Sequence, residues 1–166
     1  MNIKEELLSE HSKRLTVKLS GYIGINKKLF SELMKCVLGT DKILASRAAW
    51  VMSYCVIKNP VLIESYLEKL IKNLNADVHV AVKRNTVKVL QYVDIPEKLW
   101  GRAATACIYL LQSNKEPVAV KVFSMTVLAN ICKHEPELAT ELKLIIENQL
   151  PFASAGFKAR AKKILR

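Results

Sequence analysis

The sequence predicts an all-α fold, a right-handed α-solenoid of about five stacked antiparallel helix pairs. Two observations predict it, and a third excludes the main alternative. The first is a repeat: Arg47, Arg84, Lys121 and Lys158 recur at a fixed spacing of 37 residues. Each sits in a similar apolar frame, SRAAWVMSYCVI, KRNTVKVLQYV, VKVFSMTVLANI and FKARAKKIL. Units repeating at such a period bury their apolar faces by stacking on one another. The second is periodicity: between Gly, Pro and Asn punctuation, apolar residues recur at three- and four-residue steps, the period of a helix. The third is that no segment alternates cleanly between bounding turns, as a half-buried strand does.

In chain order, NIKEELLSEH and SKRLTVKLSGYIG form an opening helix pair closed by Gly21 and Gly24. The pair departs from the later frame, as terminal repeats do when one face meets water. Residues 27–39 carry Leu29, Phe30, Leu33, Met34, Val37 and Leu38 along one stripe. Asp41 then caps the helix that organises the chain, DKILASRAAWVMSYCVIKNP, which Asn59-Pro60 ends. One helix is predicted over PVLIESYLEKLIKNL, and a second over HVAVKRNTVKVLQYV. EKLWGRAATACIYLLQS pairs with VAVKVFSMTVLANICKHE, which opens after Pro117. ELATELKLIIENQL and the closing FASAGFKARAKKILR complete about ten helices. With no linker or low-complexity stretch, residues 1–166 read as a single domain, 1–26 forming an atypical cap and 27–166 the repeats.

Composition narrows the function classes. Apolar residues make up 51% and charged residues 25%, a globular balance rather than a disordered one. Charges throughout the first thirty residues exclude the apolar core of a signal peptide. No apolar run approaches the ~18 residues of a membrane helix. The expectation is a soluble, cytoplasmic chain with no membrane partner. Cys36, Cys55, Cys107 and Cys132 lie in apolar helical segments without a CxxC pair and read as small buried hydrophobes. The net charge of +11, from 26 Lys and Arg against 15 Asp and Glu, builds a field that attracts anions.

The repeat frame resembles a HEAT repeat, an outer helix, a turn with Asp, and an inner helix with a basic residue six positions later. Asp41 and Arg47 match that spacing, whereas Val78, Lys115 and Phe152 occupy the matching Asp positions of later units. The chain is also similar to a group of short bacterial HEAT-like proteins of no established function, through Ala48-Ala49-Trp50, KVFSM at residues 121–125 and FKARAKKIL. The resemblance implies binding of a protein or nucleic acid along a concave face.

The candidate anion- or partner-binding set is therefore basic: Arg47, Arg84, Lys121 and Lys158 at the repeated position, Lys88 one turn after Arg84, and Arg160, Lys162, Lys163 and Arg166 near the C-terminus. No acid follows Glu147. Such a row, about 10 Å apart if neighbouring helices pack normally, suits a charged partner surface. Equally, the repeated residues can hold one repeat on the next by bonding to carbonyls and acids. Trp50, Tyr54, Tyr92, Trp100, Phe123 and Phe157 sit at helical spacing and read as core, Trp100 having the best claim to exposure. His11, His79 and His134 are far apart, Asp41, Asp77 and Asp94 lie at helix ends, and no serine sits on a glycine elbow. The expectation is a non-enzymatic scaffold with no cofactor, metal or small-molecule substrate, binding a protein partner. The alternative is a nucleic-acid-binding protein, in the extreme case a HEAT-like DNA glycosylase.

Overall fold

The computed structural model describes residues 1–166 as ten α-helices and two 3₁₀ turns, with no strand. Six helix starts are fixed by the side chain just before them. Asn2 Oδ1 accepts from the amides of Lys4 and Glu5 to open α1 (Ile3–Ser9). Ser12 does so for α2 (Lys13–Ile23), Asn26 for α3 (Lys27–Val37) and Asp41 for α4 (Lys42–Lys58). His79 Nδ1 accepts from the Ala81 amide to open α6 (Val80–Leu90), and Ser154 opens α10 (Ala155–Ile164). Each cap satisfies amides that a first turn leaves free. Pro96 and Pro117 precede α7 (Glu97–Gln112) and α8 (Val118–Cys132), their rings presetting the entering backbone. α5 (Leu67–Asn73) and α9 (Leu138–Gln149) complete the set.

Two boundaries differ from the sequence expectation. Gly21 lies on an exposed position inside α2, which runs to Ile23 because Leu19, Ser20 and Ile23 all face the core. Gly24, at φ +49°, is the residue that stops it, in backbone territory costly to side-chain-bearing residues. The single helix predicted from Pro60 to Leu74 is a 3₁₀ turn, Pro60–Tyr66, followed by α5. The apolar stripe Ile63, Leu67, Leu70, Ile71 and Leu74 fits both windings, so periodicity does not separate them.

Packing divides the chain into two compact units, Met1–Val93 and Asp94–Arg166. In the first, α4 packs against α2, α3 and α6. Nine of its seventeen residues are buried, among them Ala45, Ala48, Ala49, Met52 and Val56. Burial spread that widely identifies α4 as the central helix. Small alanines at the contact let its neighbours approach while Leu19, Phe30, Leu33 and Val87 fill the remaining space. In the second unit α8 takes this place, between α7 and α10 with α9 alongside, and buries Val120, Met125, Val127, Leu128 and Ile131.

The aromatic residues divide more evenly than predicted. Phe157 is buried, whereas Trp50, Tyr54, Trp100 and Phe123 are half-buried. Tyr92 is 56% exposed: α6 ends at Leu90, so the spacing that placed Tyr92 in the core no longer applies. Trp100 is held by donation from its indole N–H to the Ile95 carbonyl at 2.7 Å, and its ring stacks on His134 at 4.7 Å.

Candidate functional site on the inner helices

In the first unit, α4 and α6 carry Arg47, Arg84 and Lys88. Arg47 Nη1 donates to the carbonyls of Leu7 and Leu8, at 2.8 and 3.1 Å. These belong to the last turn of α1, whose carbonyls have no partner within the helix. A half-buried guanidinium there satisfies two acceptors and meets the negative end of the helix dipole. Arg47 therefore fastens α1 to α4. Arg84 is exposed on α6. Lys88, one turn on, is half-buried with its Nζ 5.6 Å above the Tyr54 ring and 3.5 Å from Ser53 Oγ. Burial, and then the charge of Arg84, lowers its pKa below the ordinary lysine value. Tyr92 lies exposed just past the end of the same helix.

In the second unit the basic residues again fall into two groups. Lys121 Nζ donates to Gln149 Oε1 at 3.1 Å, and Gln149 Nε2 donates to the Leu111 carbonyl at 3.0 Å. That relay links α8, α9 and the last turn of α7. The Arg160 guanidinium bonds to Thr126 Oγ1 on α8. By contrast, Lys158, Lys162, Lys163 and Arg166 are exposed, and their side chains make no hydrogen bond or ion pair. Phe157 and Ala161 face the core, and the exposed side of α10 carries Lys158, Lys162 and Lys163 among small residues, with no acid. With no acid after Glu147, nothing along the helix itself neutralises it.

Sequence reasoning missed two of the residues that build this arrangement. Gln149, which orients Lys121, sits in a polar segment where nothing distinguishes it from its neighbours. His79 reads as an isolated histidine but serves as a helix cap, a role visible only once α6 is placed.

Cys55 and Cys107 are buried as expected, whereas Cys36 and Cys132, at the ends of α3 and α8, are only half-buried because a helix end meets solvent. All four cysteines are free thiols, and burial pushes both Cys55 and Cys107 up to about 12. Asp41 caps α4, and Asp77 pairs with Lys42 at 2.9 Å. No three His, Cys, Asp or Glu side chains gather as metal ligands would. No helix is long and apolar enough to cross a membrane.

Comparison with curated proteins and with solved structures gave no match. The family model of the HEAT repeat domain, however, matches residues 3–166, taking in the opening pair that the repeat frame left out. The helical pairs, the fixed spacing of the inner-helix basic residues and this match agree: the chain belongs to the HEAT repeat family.

Proposed function

We propose that this chain is a non-enzymatic interaction scaffold that binds an acidic protein surface through the basic faces of its inner helices. HEAT repeats generally mediate protein–protein interaction. The observation that carries the finer reading is the state of the cations on and just after α10: Lys158, Lys162, Lys163 and Arg166 are exposed and unneutralised. Charges held that way gain most when a partner supplies the opposite sign, and they raise the rate of encounter as well. Arg47, Lys121 and Arg160 already have partners within the fold and serve the scaffold rather than the contact. On the first unit, Arg84 is likewise an exposed cation of an inner helix.

A second reading, nucleic-acid binding, is favoured by the exposed Tyr92 near Arg84 and Lys88, since single-stranded binders combine cations with stacking rings. Glycosylase chemistry lacks similar support: Asp41 and Asp77 are engaged elsewhere, and Asp94 lies exposed in the segment before α7 rather than on an inner helix.

The test is affinity capture with the wild-type chain beside K158E/K162E/R166E and Arg47→Ala. A partner retained by wild type and Arg47→Ala but lost by the charge-reversed chain supports the scaffold reading. If the triple variant keeps every partner, the basic face is not the contact.

A further inference from the structure

The second unit also carries a groove of about 520 Å³ whose chemistry is opposite to that of the rest of the chain. Its floor is apolar, with the pinned Trp100 ring and Leu138, and its rim holds Glu97, Glu135, Glu137 and Glu141. These four carboxylates make no ion pair or side-chain hydrogen bond within the fold. They bring together 4 of the 15 acids of a chain with net charge +11. Lys133, the nearest cation in sequence to Glu135, is turned toward Asn130 Oδ1 at 3.2 Å.

A segment suited to this groove needs an aliphatic side chain for the floor and several cations for the rim. The end of α10 has that composition: Lys162, Lys163 and Arg166 are exposed, and Leu165 between them is 37% exposed. It also lies at the appropriate end of the unit. Gly156, near the start of α10, sits beside Val118 at the start of α8, and Arg160 reaches Thr126 further along. The two helices therefore run in the same direction. Residues 162–166 therefore lie toward the same end of the unit as Ile131, the residue of α8 that lines the groove.

We propose that the groove receives the α10 end of a second copy of this chain, in a two-fold dimer where each copy gives its basic end and accepts the other's. A basic end and an acidic groove at one end of the same unit allow the exchange to close on itself, so it stops at two chains. Repulsion between two chains of charge +11 does not prevent this. The screening length is about 8 Å at physiological ionic strength, so distant charges are damped while facing pairs are not. The inference shares Lys162, Lys163 and Arg166 with the proposed function, so a second copy and a partner compete for them, and chain mass read with no partner present keeps the two readouts apart.

The test is sedimentation velocity on the full chain at rising concentration, at roughly 150 mM and 1 M salt. The expected result is a transition from 18.7 kDa to twice that mass, weakened at high salt. K162E/K163E and E137K/E141K should each weaken dimerisation roughly tenfold or more. Mixed together, the two variants should associate again, since each reversed groove then meets a reversed end. Far-UV circular dichroism confirms that both variants fold. A monomer at every concentration overturns the proposal, as does a dimer indifferent to both reversals or a mixture that stays monomeric. Each of these three outcomes leaves Lys162, Lys163 and Arg166 open to a partner, so none of them overturns the proposed function.

Discussion

At the scale of single residues, the repeated basic position serves two physical roles. Arg47 gives its guanidinium to two carbonyls of α1, while Lys158 gives its ammonium to water. Replacing Arg47 by Ala strands those acceptors and is expected to cost about 1–2 kcal/mol, lowering Tm by roughly 3–6 °C, with partner binding unchanged. Thermal melts beside a binding assay check both halves. The buried thiols give a second expectation. Cys55 and Cys107 keep their protons up to about 12 in the folded chain, against an ordinary 9.0. Between those values the unfolded chain binds fewer protons, so stability falls as pH rises through the window. It falls by about 1.4 kcal/mol per pH unit for each thiol, and the contribution is fully present below pH ~9. Lys88 has the opposite sign: its folded pKa lies below 10.5, so its unfavourable burial is relieved as pH rises toward that value. Melting curves across the alkaline range should steepen in Lys88→Met and flatten in Cys107→Ala. Identical slopes in all three proteins would contradict this assignment.

At the scale of helices, much of the fold is legible before any coordinates. Asp41, Ser12 and Ser154 mark helix starts because a short polar side chain can reach the free amides only from that place. What the sequence leaves undetermined has physical causes. The winding after Pro60 is ambiguous because proline suits the first turn of either helix type. Tyr92 is misplaced by periodicity because the helix ends two residues before it. The partner of Arg47 lies 40 residues away in sequence, a tertiary contact that local pattern does not specify. The exposed cations of α10 are legible from composition alone, whereas the engagement of Lys121 and Arg160 needs the neighbouring helices. Asp41→Ala should cost about 1 kcal/mol through the lost cap of the central helix. Gly24→Ala should cost about 1–2 kcal/mol, although a Cβ there would meet only the Gly21 carbonyl at 3.6 Å. The cost is conformational rather than steric, and ψ −120° lies outside the left-handed helical well that Asn tolerates. Gly24→Asn should therefore cost about as much as Gly24→Ala, and both less than the β-branched Gly24→Val. Denaturant melts that rank Val as the milder change would contradict that account.

At the scale of the molecule, the excess positive charge is unevenly committed. Part of it stabilises the scaffold from within, and part faces solvent along the whole chain, with Lys158, Lys162, Lys163 and Arg166 crowded into a stretch that holds no acid. This division yields the central claim: the exposed cations bind, and the engaged ones hold the repeats together. The most direct measurement is fluorescence anisotropy with labelled polyglutamate and with labelled duplex DNA, at roughly 50 and 200 mM salt. Wild type, Arg47→Ala and K158E/K162E/R166E are compared. The account predicts salt-sensitive polyglutamate binding, unchanged in Arg47→Ala and lost in the triple variant. Tighter binding of DNA than of polyglutamate would move the function to the nucleic-acid reading. Equal affinity in wild type and the triple variant would contradict the claim that the exposed cations form the site.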